Sequence, residues 1–134
     1  NSYLYAVDAQ TGTKQWEYLT GDDVNSAPTV ADGTVFVGNG SGAAGGGDKV
    51  IAVDATDGTE QWEVTTGGDV TASPTVADGI VYVGCEDARL YALDAGDGSK
   101  LWRSQTEFGI ASAPTVTGGT AYVTDSQWTY ALGE

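Results

Sequence analysis

The sequence predicts an all-β fold: about three four-stranded antiparallel blades of the β-propeller kind, forming an open arc or half of a six-bladed ring. Three observations carry that prediction. A motif A-x-D-x-x-[T/D]-G-x-x-x-W occurs three times, starting at Ala6, Ala52 and Ala92, a spacing of 46 and then 40 residues. Short Val-, Thr- and Tyr-rich runs lie between the copies, split by Asp-Gly or Gly-Gly, which are strong hairpin signals. No stretch shows the helical period. A strand-rich unit repeating at about 40 residues reads as an array of blades.

Each unit divides into four strands. Strand A is the Pro-Thr-Val segment: Ser26-Ala27-Pro28-Thr29-Val30, Ser73-Pro74-Thr75-Val76 and Ser112-Ala113-Pro114-Thr115-Val116. Its proline stands at the strand start, where a missing N–H is tolerated. A turn follows at Ala31-Asp32-Gly33, Ala77-Asp78-Gly79 and Thr117-Gly118-Gly119. Strand B comes next, as Thr34-Val35-Phe36-Val37, Ile80-Val81-Tyr82-Val83 and Thr120-Ala121-Tyr122-Val123. Strand C is [Tyr/Ile]-Ala-[Val/Leu]-Asp. Strand D carries the Trp with alternating neighbours, as in Gln61-Trp62-Glu63-Val64, the period of a half-buried strand.

The phase of the repeat is informative. The chain starts in strand C, passes through D and two complete units, and ends in A, B and a fourth C at Thr129-Tyr130-Ala131-Leu132. The domain reading is one repeat segment over 1–134, with units at roughly 1–24 (partial), 25–68, 69–108 and 109–134 (partial). At the fourth C strand Gly133 replaces the Asp, and no Trp follows. Both ends read as cuts, or as parts awaiting a complement, and the absence of Met reads as a chain processed or excised from something longer.

Composition narrows the function classes. With 19 acidic and 5 basic residues the formal charge is −14, which opposes binding to nucleic acid phosphates and to anionic membrane surfaces. Hydrophobic content of 40% and four Trp argue for an ordered core beneath an acidic shell. Such a shell suits concentrated salt, where a Debye length of about 3 Å at 1 M screens carboxylate repulsion; the composition resembles that of haloarchaeal proteins. No apolar run approaches the roughly 18 residues of a membrane helix.

Candidate chemistry is sparse. Gly40 to Gly45 matches G-x-G-x-x-G, but a strand follows where a dinucleotide site needs a helix N-terminus, so an inter-strand loop is expected. The turns Asp54 to Gly58 and Asp94 to Gly98 have an Asp-rich look, yet Thr65 and Gln105 stand where an EF-hand loop needs Glu. Without His, no Ser-His-Asp or Cys-His system can form within the chain. The lone Cys85 reads as a packed apolar group whose neighbours Glu86 and Asp87 raise its pKa. Asn39-Gly40-Ser41 matches the glycosylation acceptor pattern, relevant only to an exported chain.

Residues 2–132 resemble the PQQ-like (quinoprotein alcohol dehydrogenase-like) β-propeller repeats. The resemblance rests on the tryptophan-docking pattern at Ala6, Asp8, Gly12 and Trp16, at Ala52, Asp54, Gly58 and Trp62, and at Ala92, Asp94, Gly98 and Trp102. It implies that each Trp wedges between neighbouring blades while Asp and Gly shape the C–D turn. The family includes dehydrogenases that hold pyrroloquinoline quinone and Ca²⁺, and non-catalytic scaffolds and sensors. The enzymes resemble one another in an adjacent Cys pair, a catalytic Asp and a Glu/Asn metal set, and this chain has a single Cys.

The expected function is therefore a non-catalytic structural or protein-interaction scaffold, part of a larger haloarchaeal protein or of a self-assembling ring. No catalytic, cofactor-binding or metal residue is assigned, and no cofactor is expected in this segment. The expected partner is a protein or another copy of the chain, such as a homodimer closing a six-bladed ring, with no nucleic acid and no membrane insertion. The resemblance favours an extracellular or cell-surface location. The alternative is a fragment of a PQQ-dependent dehydrogenase whose catalytic residues lie outside this chain, with pyrroloquinoline quinone and Ca²⁺ then implied. A carbohydrate- or ligand-sensing ectodomain is a lesser third reading.

Overall fold

A computed structural model describes residues 2–40 and 48–133. Thirteen strands among the described residues form four antiparallel sheets, each strand pairing with its sequence neighbour. The first sheet holds β1 (Tyr3–Val7) and β2 (Lys14–Leu19). The second holds β3 (Thr29–Ala31), β4 (Thr34–Gly38), β5 (Lys49–Asp54) and β6 (Glu60–Thr65). The third holds β7 (Thr75–Ala77), β8 (Ile80–Cys85), β9 (Arg89–Asp94) and β10 (Lys100–Gln105). The fourth holds β11 (Thr115–Thr117), β12 (Thr120–Thr124) and β13 (Thr129–Gly133). The fold is thus all-β and open, with two complete four-stranded sheets flanked by a C–D pair and an A–B–C triplet. No helix long and apolar enough to cross a membrane occurs among the described residues.

The tight A–B hairpins follow from their turn residues. Asp32 and Gly33, Asp78 and Gly79, and Gly118 and Gly119 all have φ between +48° and +77°, the pair of left-handed residues that a type I′ turn demands. That turn sets the register, Ala31 opposite Thr34 and Ala77 opposite Ile80.

Sheets stack face to face, so the core is a series of layers. Leu4, Val35, Val37, Ile51 and Val53 fill the first layer. Phe36, Val50, Ala52 and Trp62 meet Val81, Val83, Tyr91 and Leu93 in the second. Leu90, Ile110, Ala121 and Val123 form the third. Strands β5 and β9, covered on both faces, bury four consecutive residues each; β1 and β13, at the two ends, alternate.

The connections between sheets also fill the core. Val70 and Ile110, in the links that follow β6 and β10, are fully buried. Each lies on the glycine that ends the B strand of the sheet just left. A Cβ on Gly38 would stand 2.1 Å from Val70 Cγ1, and one on Gly84 would stand 2.3 Å from Ile110 Cγ2. Backbone bonds hold the links there: Val70 N–H donates to Asn39 O, and Ile110 N–H to Cys85 O.

Gly84→Ala should therefore lower unfolding free energy by about 3 kcal/mol through overpacking. Ile110→Ala removes the Cγ2 that the new methyl would meet, so the Gly84→Ala/Ile110→Ala double variant should lose less than the two single losses combined. Urea midpoints of the two single variants and the double variant against the parent check both expectations.

Candidate functional site

The three motif copies each build one C–D turn by the same bonds. Asp8 Oδ1 accepts the N–H groups of Gln10 and Thr11, both at 2.9 Å. Asp54 Oδ1 accepts Thr56 N–H at 2.7 Å, and Asp94 Oδ1 accepts Gly96 N–H at 2.8 Å. These are Asx turns, the local closure at which Asp excels. Gly12, Gly58 and Gly98 then return the chain at φ +71°, +75° and +76°, and each donates its N–H to the carbonyl of the Asp. The carboxylates that looked available for Ca²⁺ are thereby engaged with backbone. No group of three or more Asp, Glu or Cys side chains arranged to hold a metal occurs among the described residues.

Each turn can receive the tryptophan of the preceding sheet. Trp16 Nε1–H donates to Ala55 O at 3.0 Å, and Trp62 Nε1–H donates to Ala95 O at 3.0 Å. The indole lies flat on the glycine, since a Cβ on Gly58 would come within 2.7 Å of Trp16 Cε3, and one on Gly98 within 2.7 Å of Trp62 Cδ2. Glycine is thus required twice, for its positive φ and for the ring above it.

The motif alanine has its own role. Trp62 pairs across Ala52 with Phe36, and Trp102 across Ala92 with Tyr82. The small Ala leaves room for the aromatics to meet over it, with ring centroids 5.8 Å apart for Phe36 and Trp62 and 6.0 Å for Tyr82 and Trp102. Trp62 has both the turn and the aromatic and is 7% exposed. Trp16 has the turn but no B strand in its sheet, and Trp102 has Tyr82 but no turn; both remain half-buried.

A third link ties the A strands. Thr29 Oγ1–H donates to Pro74 O at 2.6 Å, and Thr75 Oγ1–H to Pro114 O at 2.5 Å. This role for the repeated Pro-Thr pair was not visible in sequence, because the acceptor is a backbone carbonyl in another unit.

Away from the motif, a polar cluster surrounds Asp87. Its carboxylate accepts Tyr91 Oη–H at 2.5 Å and Arg89 Nη1–H at 3.1 Å. Burial raises its pKa, but hydrogen bonds from Tyr91, Cys85 and Arg89 outweigh burial and hold it below the ordinary value. Burial above all pushes the Cys85 thiol up to about 12, so it is a protonated core group at neutral pH. Asp48 moves the other way: burial, then Asp69 and Asp22, raise it, and its Oδ1 is buried with no partner among the described residues.

Two sequence candidates resolve differently. Asn39 is 1% exposed; its Nδ2 donates to Thr20 O and its Oδ1 accepts Lys49 N–H. Both ends of the amide are occupied, which leaves no acceptor for glycosylation. The G-x-G-x-x-G match lies, beyond Gly40, outside the described residues.

A family model described as outer membrane protein assembly factor BamB matches residues 1–131. No curated protein sequence matches the chain significantly. Among solved structures, BamB from Moraxella catarrhalis superposes with a TM-score of 0.80 at 21% identity, over 98% of this chain and 39% of that one. A quinohemoprotein alcohol dehydrogenase from Pseudomonas putida HK5 gives 0.65 at 28% identity, over 77% and 17% respectively. The computationally designed Ika8 protein gives 0.72 at 16% identity, over 87% and 35%. The chain therefore spans well under half the length of each of these proteins.

Trp62→Phe keeps the ring but deletes the donor to Ala95 O, and should cost about 1–2 kcal/mol. Trp102→Phe, whose lost donor meets no carbonyl among the described residues, should stay within about 0.5 kcal/mol; urea melts followed by far-UV circular dichroism compare the two. In acid, Asp87 should contribute stability that is present above the ordinary Asp pKa and lost as pH falls through its lowered value. Asp48, with its raised pKa, should favour the fold at low pH and oppose it as pH rises through that value. Asp48→Asn is then expected to be more stable than the parent at neutral pH, and Asp87→Asn less stable, by urea midpoints measured across pH.

Proposed function

The chain belongs to the family described as outer membrane protein assembly factor BamB, and from that membership we propose that it is a non-catalytic β-propeller scaffold that engages protein. The carrying observation is how the repeat uses its chemistry. Motif Asp, Gly and Trp residues make turns and inter-sheet latches, which leaves the faces and edge strands of the sheets for contact with a partner.

The dehydrogenase reading draws support from the likeness to the quinohemoprotein enzyme. The residues present do not fit that cofactor. Its relatives resemble one another in an adjacent Cys pair, whereas Cys85 is single, buried and held as a thiol. One oxygen of each motif carboxylate is turned onto backbone N–H groups of its own turn.

The charge of −14 supports a working environment of concentrated salt and a haloarchaeal source, and the family description supports a site outside the cytoplasmic membrane. Titration with pyrroloquinoline quinone and Ca²⁺, read by absorbance after gel filtration, should leave the protein fraction free of quinone. Stoichiometric co-elution would overturn the scaffold reading.

A further inference from the structure

We propose that β10, the outer edge strand of the third sheet, docks an extended acidic segment of a partner protein as an added strand. This rests on the scaffold reading and names the chemistry of its partner.

The inference starts from where the few cations lie. The chain has five Lys and Arg residues against nineteen Asp and Glu, and three of the five, Arg89, Lys100 and Arg103, share one face of one sheet. Lys100 stands opposite Leu93, Arg103 opposite Tyr91, and Arg89 opposite Gln105. Residues directly opposite in an antiparallel pair point to the same side. Leu93 and Tyr91 pack toward the second sheet, so the three cations line the margin of that face. The second and third sheets both have all four strands.

The same positions one sheet earlier carry the opposite sign. There they hold Lys49, Glu60 and Glu63. Lys49 Nζ donates to Glu63 Oε1 at 2.8 Å, and Glu60 accepts Tyr18 Oη–H from the first sheet. In the first sheet Lys14 Nζ donates to Glu17 at 2.7 Å. Across from the third sheet Val64 stands in the position of Tyr18, and Lys100 and Arg103 replace Glu60 and Glu63. Arg89 is paired with Asp87 at 3.1 Å, and the exposed Lys100 lies 5.4 Å over the Tyr91 ring. Arg103 is exposed and meets no carboxylate among the described residues.

The backbone is open at the same place. Strand β10 is the last of its sheet, in the order β10-β9-β8-β7, so alternate N–H and C=O groups along Lys100–Gln105 face away from β9. Free edges accept extended peptides through main-chain bonds. Leu101 sits in the bulge between Lys100 and Trp102 and is 48% exposed. Its counterpart Gln61 is instead tied to Thr34 Oγ1 at 3.0 Å. Charge ordinarily blunts an edge by repelling its like. On a chain of −14 a basic edge does the reverse and attracts acidic sequence. A segment laid beside β10 sets its carboxylates about 5 Å across from Lys100 and Arg103, while its main chain takes up the free groups. The acidic edge of a second copy, β6, is a poorer occupant, because Glu60 and Glu63 are already engaged.

Fluorescence anisotropy on the full chain, with a labelled short peptide of alternating Val and Glu, tests the proposal at low salt and in multimolar KCl. The Val-Glu peptide should bind at least about tenfold more tightly than its Val-Lys counterpart, and best at low salt, where the cations are unscreened. Arg103→Glu should weaken binding at least about fivefold, since a cross-strand attraction becomes a repulsion. Lys14→Glu, which changes the net charge equally, should alter it less than about twofold. N-methylation of the peptide at its glutamates or at its valines blocks one edge each. One pattern should abolish binding and the other spare it, the signature of strand addition. If Arg103→Glu does not fold by circular dichroism, the two methylated peptides decide. The proposal is overturned if the Val-Glu peptide does not bind at either salt. It is overturned too if Val-Lys or an oligothymidylate binds as tightly, if Arg103→Glu has no effect, or if both methylation patterns are tolerated alike. None of these results bears on the quinone titration, which decides the scaffold reading.

Discussion

The indole N–H that Trp16 and Trp62 extend to the turn of the next sheet is the contact on which the array depends. A sheet in this chain has no self-sufficient core; its two faces must each be covered by a neighbour. Dispersion and burial supply most of the stability but little direction. The hydrogen bonds from Trp16 to Ala55 O and from Trp62 to Ala95 O supply the direction. They fix which end of one sheet meets which end of the next, and the glycine beneath each ring sets how closely the two approach.

This arrangement explains why the motif contains the residues it does. Aspartate makes the turn, glycine both returns the chain and admits the ring, and alanine opens a gap between two aromatics across the sheet. Each of these residues has a structural task, and the same economy extends to the Thr–Pro links. A protein whose repeated residues are consumed in holding repeats together presents its partners with edges and faces, consistent with the scaffold role argued for this family member.

Strand positions and the A–B hairpins were legible in sequence, because Asp-Gly and Gly-Gly pairs, β-branched runs and a fixed repeat act locally. The acceptors of the latch were not. Ala55 O, Ala95 O, Pro74 O and Pro114 O are backbone atoms, and no residue type advertises a carbonyl that points out of its own sheet. The packing of Val70 on Gly38 and of Ile110 on Gly84 was equally hidden, since it joins a connector to a strand end far away in sequence. The structural role of the Asn39 amide was hidden too, because its tripeptide says nothing about burial.

The same Asn39 has a counterpart at each B–C connection. Asp87 and Asp125 close the other two, the latter by accepting the N–H groups of Gln127 and Trp128. Every B–C loop is therefore pinned at its root by a single polar side chain, which separates the loop's contents from the strands that carry it. Loop length becomes a free variable, and the extra residues between Asn39 and Asp48 occupy the position where new sequence can enter without renegotiating the blade. These roots act as ports: the B–C connections of this chain differ in length while the latch at Ala55 O and Ala95 O keeps one geometry.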